Sequence, residues 1–402
     1  MKNRLIYLDG LRGLLAVVVF VHHFFYTFYP ELVFGGSANE YMNGNAYSVK
    51  RLLALTPLNI FFNPGMAINF FFLLSGYVQT THYMHNGNIK HVQQSFLKRY
   101  FRLAIPTLVV VMLVFLFHKM HWIKKDYIPL SRINADWTRG VIPDNLDFFQ
   151  AVLCGAFDCF YQKTAYYSVL WTMPYELYGS FSVLILIMAT HLAKNKSRVF
   201  LLWFLFQLLF INSFIGAAFT VGLLLAYAEA HRPKMMAFFS RSPVRFLCFV
   251  IGLYFATYPY TAFEGASKKS VYALISFFDK YPHVISYFIG DTLLLVSLLH
   301  SKKTQQVLSS SAFLFLGKIS FMLYLTHFLI LFSFSPWVYI KLLASNSHNT
   351  SVLVCGLLTF TVVCLASWLL YRLVDKPALD FCNRRADELF HSKQGSNSSK
   401  KS

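Results

Sequence analysis

Acidic residues are scarce: 17 Asp and Glu stand against 36 Lys and Arg in 402 residues, a formal charge of +19. In a soluble chain that excess would point to nucleic acid. Here the basic residues fall in short stretches between apolar runs, a pattern of membrane topology and anionic lipid headgroups, so no nucleic-acid partner is expected. Cysteine is sparse too. Its six copies form no C-x-x-C pair and no His/Cys cluster has zinc spacing, so neither a disulfide scaffold nor a metal site is expected, although Cys154 and Cys159 leave one local bridge open. The sequence has no internal repeat and no sign of a second domain. No small-residue cleavage site closes the first apolar run, and Asp9 precedes it, so that run reads as a retained span and not a secretory signal.

What the chain has in quantity is apolar surface: 56% hydrophobic residues, 18% aromatic and a mean hydropathy of +0.49. This composition predicts an all-α polytopic membrane protein with helices around a polar central cavity. About ten stretches have spanning length, near Leu8–Phe28, Asn63–Tyr83, Leu103–His121, Val169–His191, Arg198–Phe214, Ile215–Ala230, Val244–Tyr260, Val284–His300, Phe313–Trp337 and Val352–Val374. Asn212 and Ser213 are expected to turn the chain between the fifth and sixth. Most basic residues lie on one side if the amino terminus is inside, which favours both termini in the cytoplasm. Residues 1–380 form the expected transmembrane domain, and the basic, polar stretch 381–402 reads as a disordered tail. The long segment Trp122–Ser168 is expected to cover the outer mouth.

Ionisable residues inside apolar runs are costly and need partners. Arg12 and His23 are eleven positions apart, which brings them within about 20° of each other around a helix, with about 16 Å between them along its axis. Glu176 follows WTMP about a turn into the fourth span and calls for a cation, with Arg12 and His23 the obvious candidates. Asp291 lies in the eighth span. In the ninth, Tyr324 precedes His327 by three residues, on one face, so spans one, four and nine are expected to share a polar lining. Lys98, Arg99 and Arg102 precede Pro106, and the two arginines share a face suited to phosphate oxygens. Ser75 and Gly76 sit within NFFFLLSGY, where small residues favour close helix packing.

Taken together, LDGLRG followed by His23, FFFLLSGYV, RYFRLAIP, LWTMPYE, FLGKISFMLYLTHF and the closing VDKP resemble the acyltransferase family 3 membrane proteins, in family order along nearly the whole chain. The resemblance implies ten spans around a polar site, with an acyl-CoA donor on the cytoplasmic side acylating a hydroxyl of a sugar, glycan, lipid-linked or other exported molecule. Acyl-CoA, by expectation acetyl-CoA, would be a co-substrate, with no permanently bound cofactor. By the same resemblance His23 is catalytic, with Arg12 binding the donor or orienting the site and Glu176 joining them. Arg99 and Arg102, with Lys98, bind the donor; Ser75, Tyr324 and His327 occupy motif positions that line the substrate path. Asn69 replaces a frequent Asp and Pro106 lies one residue late, both as in a fungal-type branch. A multi-span transporter of a polar or lipid-linked solute is the rival reading, since ionisable residues also line permeation paths.

Overall fold

The computed structural model describes residues 5–35, 49–129, 134–161, 166–211, 214–259, 268, 270–280 and 283–398, and no strand occurs among them. The main helices are α1 (Ile6–Phe28), α2 (Pro64–Asn86), α3 (Ile89–Lys119), α4 (Phe148–Ala156), α5 (Met173–Thr190) and α6 (Lys196–Phe206). They continue as α7 (Phe214–His231), α8 (Pro233–Ser240), α9 (Ser242–Ala256), α10 (Val284–Leu299), α11 (Lys302–Leu308), α12 (Ser311–Leu343), α13 (His348–Leu370) and α14 (Lys376–Ser398).

Helix ends follow local chemistry. Asn63 accepts from the Met66 amide at the start of α2, where Pro64 needs no amide partner, and Gly87 closes the helix at φ 64°. Asn88, Asp147 and Ser347 cap α3, α4 and α13 in the same way.

Six of the described helical runs are long and apolar enough to cross a bilayer: α1, α3, α5 with its lead-in from Ser168, α7, α12, and α13 continued to Phe390. Two bent pairs, α8 with α9 and α10 with α11, bring the number to eight at most. The expected count of about ten is not confirmed among the described residues, and two features account for the difference. Helix α2 has the length but carries Asn69, Ser75, Gln79, Thr80, Thr81 and His82 along it. Helix α6 is only 11 residues long before the chain widens into a π-turn over Gln207–Ile211. The expected turn at Asn212 and Ser213 lies outside the described residues. Helix α3 begins well before the expected Leu103, so its basic residues ride on a helix that packs against α14.

Two backbone-to-backbone crossings set the framework. A Cβ on Gly13 would lie 2.4 Å from the Gly317 amide nitrogen, and one on Gly317 would lie 2.2 Å from the Asp9 carbonyl oxygen. Only glycines let α1 and α12 approach so closely. Gly76 and Gly222 do the same for α2 and α7, which accounts for the small residues in the second span. Cys154 and Cys159 are both buried and free, so the local bridge left open by their spacing does not form.

The segment between α3 and α5 is anchored to the bundle. Pro336 has no amide to offer the Phe332 carbonyl one turn earlier, and the Lys124 amide fills that place at 2.8 Å. Asn134 donates to the Thr27 carbonyl at 3.0 Å, tying the segment to the far end of α1.

Candidate active site

Helices α1 and α12 carry the centre of the site. His327 is fully buried, and its Nδ1 lies 2.7 Å from the Tyr324 carbonyl oxygen and 3.2 Å from that of Leu323. A carbonyl only accepts, so Nδ1 carries the hydrogen and Nε2 is left with a lone pair. His23 Nδ1 sits 3.1 Å from that Nε2 and must donate to it. The hydrogen-bond pattern thus assigns a tautomer in which His23 Nε2 is unprotonated and available as a base. The adjacent His22 is engaged elsewhere, donating from Nδ1 to the Phe62 carbonyl at 3.0 Å.

Aromatic rings fix the His23 imidazole. Trp137, on the short helix Ala135–Gly140, stacks on it with ring centres 5.9 Å apart and planes 4° from parallel. Phe328 meets it edge-on at 4.6 Å. Tyr167 works on the helix behind: its hydroxyl donates to the Leu325 carbonyl and accepts from the Leu329 amide, at 2.9 and 3.1 Å, inserting itself into the ladder of α12 beside His327.

A second polar group lies toward the start of α1. Arg99 pairs with Glu176, which also accepts from Ser75 Oγ at 2.8 Å. The partner of Glu176 is therefore Arg99, and not Arg12 or His23 as the sequence suggested. The packing of α3 against α5 brings the two together, a tertiary contact that spacing along the chain cannot reveal. Arg12 lies 3.7 Å from Asp9, and the charges of Arg12, Arg99, Arg102 and Glu176 act on one another. Arg102 is exposed and holds no ion pair among the described residues, whereas Lys98 donates to Asn383 of α14 at 2.9 Å.

Tyr324 stands between the two groups. Its hydroxyl donates to the Val169 carbonyl and accepts from Thr172, each at 2.7 Å. Its ring centre lies 5.9 Å from that of His327, and it feels the charge of Glu176. Arg12, Ser75, Arg99, Glu176, Tyr324, His23 and His327 therefore form one polar tract inside the bundle, with Arg102 at its exposed end. Asp291 stands apart from it, bound by Asn69 Nδ2 at 2.8 Å. Sequence reasoning missed Trp137 and Tyr167, which lie in a segment without periodicity; an aromatic among polar loop residues was the only available signal.

Residues 5–372 match the family described as an acyltransferase domain, acyltransferase family 3. Among curated proteins, O-acetyltransferase PaAT-1 of Phomopsis amygdali is 24% identical over 364 residues, covering 80% of this chain and 71% of that protein. Acyltransferase clz18 of Cochliobolus lunatus is 23% identical over 460 aligned positions, covering 96% of each. No solved structure matches significantly.

Proposed function

Since the chain belongs to acyltransferase family 3 and is a membrane acyltransferase, we propose that it moves an acetyl group from acetyl-CoA to a hydroxyl of a carbohydrate or another exported small molecule. His23 Nε2 takes the proton of the acceptor hydroxyl as its oxygen attacks the thioester carbonyl. The new C–O bond forms, the C–S bond breaks, and the proton on Nε2 passes to the departing thiolate. His327 accepts a hydrogen bond from His23 Nδ1 throughout and steadies the transient imidazolium. Arg12 and Arg102 hold the donor's phosphates at the basic end, while Arg99 and Glu176 brace the tract between them. The acetyl group is suggested by the name of the Phomopsis relative.

The donor enters from the cytoplasmic side, where both termini lie, and the acceptor from the opposite side. Arg12 and His23, about 16 Å apart along α1, leave room for the donor's thiol-bearing arm between phosphates and base. The observation that carries this reading is the imidazole pair, His327 fully buried and His23 partly so, with a free ring nitrogen on His23. Purified protein in lipid nanodiscs should release free thiol from acetyl-CoA when a hydroxyl acceptor is present, and His23→Ala should not. Thiol release undiminished in that variant would remove His23 from the chemistry.

A further inference from the structure

A cleft of about 470 Å³ opens between the start of α12 and the junction of α13 with α14, lined by Lys318, Arg372 and Lys376 together with Phe315, Trp368 and Tyr371. None of the three cations has a carboxylate partner among the described residues. Trp368, Arg372 and Lys376 recur every four residues and share one side of the helix. The chain passes through a π-helical turn at Tyr371–Asp375 at this point, a widening that often marks a binding site. The Arg372 guanidinium lies over the Trp368 ring, 4.8 Å from its centre.

The cleft does not serve the histidines. Lys318 and His327 are nine positions apart on α12, which at 100° per residue places them on opposite sides of that helix. The cleft faces the perimeter, where Leu365, Leu369 and Leu373 of the same run are exposed. Cations and a tryptophan where an apolar helix surface gives way to a basic helix end are the features of a bilayer boundary.

We propose that this cleft binds the phosphate headgroup of an anionic phospholipid, with Lys318, Arg372 and Lys376 on the phosphate oxygens and the acyl chains along the exposed leucines of α13. Basic pockets between helix ends at the cytoplasmic boundary suit such headgroups. The cleft lies on the far side of α12 from His327, and its affinity for a headgroup does not depend on the identity of donor or acceptor.

The test is native mass spectrometry of the full chain released from nanodiscs of equimolar phosphatidylglycerol and phosphatidylcholine. The wild type should retain phosphatidylglycerol in preference, and K318Q/R372Q/K376Q should lose that retention, by about fivefold in affinity for each charge removed. K302Q/K303Q, which removes two exposed charges at the same end outside the cleft, should behave as wild type. Should the triple variant fail to fold, R372Q alone should still show its share of the loss. Equal retention in wild type and cleft variants overturns the proposal. So does an equal loss in K302Q/K303Q, which would indicate diffuse charge, or displacement of the bound lipid by coenzyme A, which would make the cleft a nucleotide-phosphate site.

Discussion

His23 donates from Nδ1 to His327 Nε2 across 3.1 Å, and His327 in turn donates to the Tyr324 carbonyl. The chain of donors runs in one direction only, toward the backbone of α12, so the one ring nitrogen of the pair left with an unengaged lone pair is Nε2 of His23. His23→Ala should lower turnover roughly 10²- to 10⁴-fold, the usual contribution of a positioned base, with the protein still monodisperse in detergent. Steady-state thiol release checks it.

His327 acts through His23, and its removal should show a different signature. His327→Ala should reduce kcat by about 10- to 100-fold with the donor KM unchanged, because the lost interaction strengthens only as His23 takes a proton. His327→Gln, whose amide oxygen can accept the same hydrogen bond, should recover part of that loss. A merely packing role would give no such split between kcat and KM and no rescue.

The Arg99–Glu176 pair is largely buried, with side chains 11% and 17% exposed. Removing one partner leaves an uncompensated charge, so Glu176→Ala should destabilise the protein by about 3–5 kcal/mol. The double variant R99M/E176L should regain most of that stability without regaining activity. Thermal melting in detergent, read beside thiol release, separates the two effects.

Trp137 reaches the site from outside the spans. Trp137→Ala should cut activity by about tenfold, since a ring stacked on His23 contributes roughly 0.5–1.5 kcal/mol beyond its burial, while Trp137→Phe should retain most of it. Activity unchanged in Trp137→Ala would make the stacked ring a bystander.

Much of this arrangement was legible in the sequence, and the limits have physical causes. Arg12 and His23 share a face of α1 because helix periodicity dictates it, and a carboxylate at Glu176 needed a cation because an apolar run cannot solvate one. Which cation it found was not legible: several were available, and the choice depends on how α3 packs on α5. His327 was visible as an ionisable residue in a span, but its bond to His23 depends on the crossing of α1 and α12. The count of about ten spans is not confirmed: six to eight described helices have the length and apolarity to cross, with polar residues diluting α2 and α6 being short. Trp137 and Tyr167 left no periodic signal at all.

The close crossing at Gly13 and Gly317 carries one more consequence. His23 and His327 each lie ten positions beyond their own glycine, so two helices running side by side act as matched rulers measured from a common knuckle. One inserted residue between Gly317 and His327 would swing that imidazole by about 100° and lift it 1.5 Å, unmeshing the pair, and thiol release should then vanish although every side chain is retained. A seven-residue insertion in both helices, about two whole turns, should restore the match about 10.5 Å higher, so the level in the bilayer at which this protein works is written in a count of residues.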